Sequence, residues 1–245
     1  MHVHHTKGIV LKSLKYGETS LIVSVYTELF GIQQYIIKGI RKTSKKSSAN
    51  ASYFQEGAML DMQVQHQEIK NFQYIKEYQW FYLYKNLFNN VVKNSVLLYM
   101  IEMLQHCSKQ PEANAEIYYL TEEALIMLDS SDDAFTANLP LYYSIKLAAR
   151  LGFEIQGHYS QFTPILDYQE GTFIANTPLH RYYMPEHLSK ILSDIIIAHI
   201  KEIGSISLNR SMRSELIEYL QSFFQLHVPY YGKLNSPDIL KQILA

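Results

Sequence analysis

Residues 8–38 read GIVLKSLKYGETSLIVSVYTELFGIQQYIIK. Three short runs, 8–14, 20–27 and 32–38, are rich in Ile, Val, Tyr and Phe. Tyr16-Gly17-Glu18 and Leu29-Phe30-Gly31 separate them, and both are turn signals. Residues 21–26, Leu-Ile-Val-Ser-Val-Tyr, alternate in part, as a half-buried strand does. Two more runs, 58–65 and 71–78, follow after a longer interruption, with Gln67-Glu68 between them. Five strands in so short a span, with a gap after the third, predict a small closed barrel. The five-stranded OB type is the economical choice, because closure removes exposed edges.

Beyond residue 84 the period changes. Leu87, Val91, Leu97, Leu98, Ile101 and Leu104 recur at helical spacing, as do Leu141, Ile145, Ala148 and Ala149, and later Leu216, Leu220, Phe223 and Phe224. These stripes read as packing faces. Pro111, Pro140 and Pro185 are expected at helix starts, where proline is tolerated. Residues 157–181 lack helical period and read as a hairpin or irregular insertion. The expected fold is α+β in two domains: an OB-fold domain over 1–80 and an α-helical domain over 81–245.

With 245 residues, the chain is long enough to bury a core without staples. A hydrophobic share of 47% and a charged share of 18% place it among globular proteins. No apolar run is long enough to span a bilayer, and the N-terminus has no signal core. Cys107 is the single cysteine, which excludes a disulfide framework and any multi-cysteine zinc site. These features predict a cytoplasmic protein.

Net charge is −1, but its distribution is uneven. Residues 1–50 hold eight Lys/Arg against two Asp/Glu, and the remainder holds fourteen against twenty-one. The basic excess centres on Lys38, Arg41, Lys42, Lys45 and Lys46, which follow the third strand directly. Ser and Thr interleave them and can bond phosphate oxygens. Such a loop at a barrel mouth would track a phosphodiester backbone, each neutralised phosphate releasing a counterion. Lys12 and Lys15 are expected to extend the same groove. Of the aromatics nearby (Tyr16, Tyr26, Phe30, Tyr35, Tyr53 and Phe54), Phe30 and Tyr35 are the candidates for stacking on bases, although each ring taken alone fits a barrel core.

Catalysis finds little support. There is no Gly-x-Ser-x-Gly elbow, no His-Glu-x-x-His and no Walker loop. The acid pairs Glu122-Glu123 and Asp132-Asp133 read as solvated surface, and Cys107 as a small core residue. His2, His4 and His5 read as a frayed terminus. His158, His180 and His187 would need a fourth ligand to hold a metal. No catalytic residue, cofactor or metal is expected.

The opening, residues 8–23, resembles that of the bacterial recombination mediator RecO family: an apolar strand, a basic residue, Gly17-Glu18, then a second apolar strand. Tyr26-Thr27-Glu28, Phe30-Gly31 and Lys38-Gly39-Ile40-Arg41-Lys42 continue the pattern in order. Leu151-Gly152-Phe153 at a helix end and the element from His227 to Ser236 extend the likeness over most of the chain. Two departures stand out. Many members hold a four-cysteine zinc site in the insertion, whereas 157–181 contains no cysteine. The family's Leu-Gln-Pro after the basic loop is replaced by Ser52-Tyr53-Phe54-Gln55.

The resemblance implies a non-enzymatic role in recombinational DNA repair. Proteins of this kind bind single- and double-stranded DNA, anneal complementary strands and contact the acidic C-terminal tail of single-stranded-DNA-binding protein (SSB). With RecR they help load RecA onto SSB-coated strands. A pocket for that tail needs a cation beside an apolar cleft. Lys146 and Arg150, on a helix with Leu147 and Leu151, are the candidates, although their spacing also fits an ordinary solvated face. An RNA-binding OB module on a helical protein-interaction scaffold would share the basic loop and the aromatics, and a purely structural interaction protein would use the loop against an acidic partner. No coiled-coil heptad appears, which favours a monomer.

Overall fold

The structure, a computed structural model, describes residues 2–40, 51–108 and 112–244. They form two compact units: Met1–Lys85 with Leu104–Ile126, and Asn86–Met103 with Met127–Ala245.

The first unit is built on an antiparallel sheet of β1 (Val3–Tyr16), β2 (Ser20–Thr27), β3 (Gly31–Ile37), β4 (Met59–Gln65) and β5 (Tyr74–Tyr82), in the order β3-β2-β1-β4-β5. This is the OB-like arrangement expected. Residue Tyr35 bridges Gln73 in parallel, and Ile36 N donates to Gln73 O at 3.1 Å while Gln73 N donates to Gln34 O at 2.8 Å. The edges β3 and β5 are therefore tied by one bridge and not by a full ladder. Of the terminal histidines, His4 and His5 are not frayed: β1 begins at Val3, His4 pairs with Val64, and His5 sits 2.7 Å from Asp61, while His2 precedes the strand and is exposed. The ladder to β4 fixes His4 and His5.

β1 is long because it serves two partners. Val3–Ile9 pair with β4, and Gly8–Tyr16 pair with β2. A register shift between Val10 and Lys12 leaves Leu11 as an extra residue, which bends the strand. Gly8 sits where the sheet is closest to itself: a Cβ there would lie 2.5 Å from both Met62 Cε and Val25 Cγ1. One face of the sheet holds Val10, Leu21, Val23, Val25, Tyr35, Ile37, Leu60, Met62 and Val64 in a single core. The other face carries Ile9, Leu11, Tyr26 and Met59, also buried. There the segment 104–126 attaches. Gln105 Nε2 donates to Leu11 O (2.6 Å), Tyr26 OH donates to Asn114 O (3.3 Å), and Lys7 Nζ lies 3.4 Å from Glu122.

The second unit contains parts of α1 (Val91–Cys107) and α2 (Ala115–Ser130). It continues with α3 (Asp133–Arg150), α4 (Glu186–Ile197), α5 (Arg210–His227) and α6 (Ser236–Ile243). Asp132 caps α3 by accepting from Phe135 N at 2.8 Å. Pro140 is not at a helix start, as expected, but inside α3. It removes the donor that Thr136 O would receive four residues on. The helix persists because almost every residue from Phe135 to Ala148 is buried, so packing outweighs the local penalty. Gly152, at φ 90°, ends α3: Phe153 N donates to Ala148 O at 2.9 Å in a Schellman closure. Pro185 does cap α4.

The insertion is more regular than expected. It forms a three-stranded sheet of β6 (Ile165–Asp167), β7 (Thr172–Ile174) and β8 (Tyr183–Met184), in the order β7-β6-β8. Asp167 ties it together. One carboxylate oxygen accepts from Gln169 N and Glu170 N (3.0 and 3.1 Å), and the other is 3.1 Å from His180 Nε2. His180 Nδ1 accepts from Tyr182 N, so Nε2 carries the proton given to Asp167.

Candidate nucleic-acid interface and peptide cleft

The register of β1 and β2 sorts the candidate lysines. Directly paired residues share a face of the sheet. Lys15 pairs with the core residue Leu21, whereas Lys12 pairs with Ser24 and Leu14 with Ile22. Lys12 and Lys15 therefore leave the sheet on opposite faces, and the single groove expected for both is not formed. The odd spacing causes this, since strand side chains alternate; the bulge at Leu11 only sets which of the two faces Lys12 takes.

Lys12, Leu14 and Tyr16 share the outer face, Leu14 and Tyr16 each 52% exposed. Ser24, Ile22 and Ser20 of β2 and then Gln34 and Ile36 of β3 carry that face across the sheet. Lys38, one residue past Ile37, is exposed with its ammonium 5.7 Å from the centre of the Tyr74 ring. This face presents cations with aromatic and aliphatic surface between them. Glu56 is the nearby acid, its carboxyl pushed up by burial and held down by Lys12. Arg41, Lys42, Lys45 and Lys46 lie outside the described residues.

The two stacking candidates separate. Tyr35 is fully buried in the core of the sheet unit, so its ring is closed to any base. A residue of β3 that alternates inward could not do otherwise. Phe30 is half-buried in the β2–β3 turn, with His66 stacked on one face at 4.1 Å and His4 against its edge. Thr27 and Gly31 shape that turn. Thr27 Oγ1 accepts from Phe30 N (3.1 Å) and donates to Gly31 O (2.9 Å). After the basic loop, Ser52–Phe54 make one 3-10 turn that buries Phe54 and stacks Tyr53 on Trp80 at 4.6 Å.

Lys146 and Arg150 do not lie on a solvated face. They line a cleft of about 370 Å³ with Tyr142, Ile145, Ile155, Ile196, Ile197 and Glu154. Lys146 Nζ donates to Ile196 O at 2.8 Å and lies 5.3 Å from the centre of the Tyr142 ring. Burial holds the Lys146 pKa below the usual lysine value, Arg150 adds to this, and Glu154 opposes it. Arg150 Nη1 donates to Lys146 O at 3.1 Å, but its Nε is buried with no acceptor among the described residues. Ile197, 73% exposed, leaves apolar surface at the rim.

Among the described residues, no three His, Cys, Asp or Glu side chains gather as metal ligands, and no helix is long and apolar enough to cross a membrane. Sequence reading missed Phe72 and His66, which line a groove beside Phe30. A lone aromatic in a polar loop carries no periodic signal.

Comparison with known proteins covers nearly the whole chain. The family model described as Recombination protein O N terminal matches residues 1–84, and that described as Recombination protein O C terminal matches residues 89–236. The DNA repair protein RecO of Christiangramia forsetii is 27% identical over 241 residues, 98% of this chain and 99% of that protein. The proteins of the same name from Azobacteroides pseudotrichonymphae and Phocaeicola vulgatus are 23% and 25% identical, each over 98% of this chain and 99% and 98% of their own length. With both halves matched in order along a five-stranded sheet and a helical region, the chain belongs to the recombination protein O (RecO) family, and its role is in DNA repair and recombination.

Proposed function

We infer that this chain is a recombination mediator. It binds single- and double-stranded DNA, anneals complementary strands, docks on the SSB tail and, with RecR, helps load RecA onto SSB-coated strands. It acts by binding and exchange, without covalent chemistry. The observation that carries this reading is the cleft at Lys146 and Arg150. A peptide end that is both acidic and apolar needs cations next to a greasy wall. Here an unpaired guanidinium N–H and a half-buried ammonium stand beside Ile155 and Ile196. A carboxylate would supply the acceptor that Arg150 Nε lacks, and charge-assisted bonds are the strong ones.

The test is anisotropy of a labelled peptide with the sequence of the SSB tail. Arg150→Ala and Lys146→Ala should each weaken binding about tenfold or more, as expected when one partner of a desolvated charge pair is removed. Removing the peptide's last apolar residue should do the same. Unchanged affinity in both variants would overturn the assignment of the cleft.

DNA is assigned to the outer face at Lys12 and Lys38, and Arg41, Lys42, Lys45 and Lys46 are proposed from the sequence alone as further phosphate contacts. On single strands the log–log salt slope should flatten by about 0.7 for each phosphate contact removed. Lys15→Ala, on the opposite face, should leave the slope unchanged.

A further inference from the structure

The β4–β5 connection, residues 66–73, forms a groove with the β2–β3 turn and the outer side of β3. It encloses about 710 Å³, and Phe30, Phe72, His66, Gln34, Asn71 and Lys70 contribute to its lining. That volume falls in the range of small-molecule pockets. Three observations define its chemistry. Phe72 is 36% exposed, so part of its ring is accessible. Glu68 opposes Lys70 in the same lining, so the groove has no net cationic character and is poorly suited to gripping phosphate. Exposed amides of Gln34 and Asn71 offer hydrogen-bonding groups.

The loop is also held in place from within. Gln73 is 2% exposed. Its Nε2 donates to the carbonyls of Gln67 and Lys70 at 2.8 Å, and its Oε1 accepts from Gln67 N at 2.9 Å. Its backbone makes the bridge to β3. An aromatic surface on a preorganised loop loses little conformational freedom when something stacks on it.

We propose that this groove takes an unstacked nucleobase of a single strand, with Phe72 as the stacking ring. The inference rests on the DNA-binding reading above and divides the labour. Cations of the outer face hold phosphates, and the groove beside β3 holds a base. A duplex, whose bases are already stacked and paired, cannot offer this contact. The groove therefore favours single strands over duplex.

The test uses the full chain with Phe72→Leu, which keeps apolar bulk and removes the ring. Binding is read by anisotropy, and stacking by the fluorescence of a 2-aminopurine-containing oligonucleotide. The variant should bind single strands roughly 5- to 150-fold more weakly, the range for one base–aromatic stack. Its salt slope and duplex affinity should match the wild type, and 2-aminopurine quenching should fall. A Lys38→Ala variant should show the opposite pattern, a flatter slope with quenching retained. Single-strand affinity and quenching that are both unchanged in Phe72→Leu overturn the groove assignment while the DNA-binding reading stands. Equal weakening on duplex, or a lowered urea midpoint that accounts for the loss, overturns it as well. A wild-type chain that binds no single strand at near-physiological salt removes the reading and the groove together.

Discussion

Replacing Tyr35 by Phe removes one oxygen from the centre of the sheet unit. The hydroxyl is buried and has no hydrogen-bond partner among the described residues, and burial pushes its pKa well above the usual tyrosine value. A buried polar group without a partner costs about 1–3 kcal/mol. The ring itself stays, so its contacts with Val23, Leu60 and the rest of the core are kept, and the lost oxygen leaves a gap smaller than a methyl group. The net effect should be stabilisation by about 1 kcal/mol, the lower end of that range, since a small void offsets part of the gain. For a chain of this size, that raises the melting temperature by roughly 2–4 °C. Urea titration monitored by circular dichroism would read the midpoint, and anisotropy would read DNA affinity, which should not move. Most substitutions destabilise, so a gain is diagnostic. A lowered midpoint would mean that the hydroxyl is bonded, and a loss of DNA affinity at unchanged stability would restore Tyr35 as a binding residue.

Three further outcomes follow from the same packing. Gly31→Ala should destabilise by about 2–4 kcal/mol: φ is +60°, which costs an L-residue about 1–2 kcal/mol, and the new Cβ would lie 2.2 Å from Glu112 O, forcing backbone to shift; denaturant titration checks it, and a loss below about 0.5 kcal/mol would refute the close approach. Burial pushes the Glu102 carboxyl up, but hydrogen bonds from the Ser236 hydroxyl and from the backbone N–H groups of Asn235 and Ser236 outweigh it and hold its pKa below the usual value of 4.5. The folded pKa is depressed, so its contribution is present above pH 4.5 and is lost as pH falls through the folded value; amide exchange in α6 should speed up over that window in the wild type and show no such step in Glu102→Gln. Gln73→Ala should release residues 66–72 to fast amide exchange and cost about 1–3 kcal/mol, because three hydrogen bonds of one buried amide are lost, whereas an unchanged exchange pattern would show that the loop holds itself.

The strands of the sheet were legible because apolar alternation and the turns at Gly17 and Gly31 are local features. So were the stripes of α3 and α5. What remained hidden depends on neighbours distant in sequence. Nothing in the run from Gly8 to Leu14 marks Leu11 as an extra residue, and that residue decides which face Lys12 takes. Tyr35 reads as a surface aromatic as readily as a core one until the register of β3 is known. Pro140 announces a helix start by its own chemistry, and only the burial around it allows α3 to run through. Lys146 and Arg150 stand out in the sequence by their charge, but the apolar wall opposite them comes from Ile196 and Ile197, which are far along the chain. The four cations from Arg41 to Lys46 stay a sequence-level proposal, since they lie outside the described residues.

The attachment of residues 104–126 to the outer face of the sheet has a consequence for the order of synthesis. All five strands have left the ribosome once Tyr82 has emerged, and they can begin to pair. Ile9, Leu11, Tyr26 and Met59 then remain bare to solvent until Gln105, Asn114 and Glu122 have been made. A nascent chain paused in that interval would carry a paired sheet with an uncovered greasy back, the form most inviting to a chaperone or to a second nascent copy. A fragment cut at Lys85 would be locked in that state permanently. That N-terminal fragment would have the sequence pattern of a complete domain and the solubility of an unfinished one.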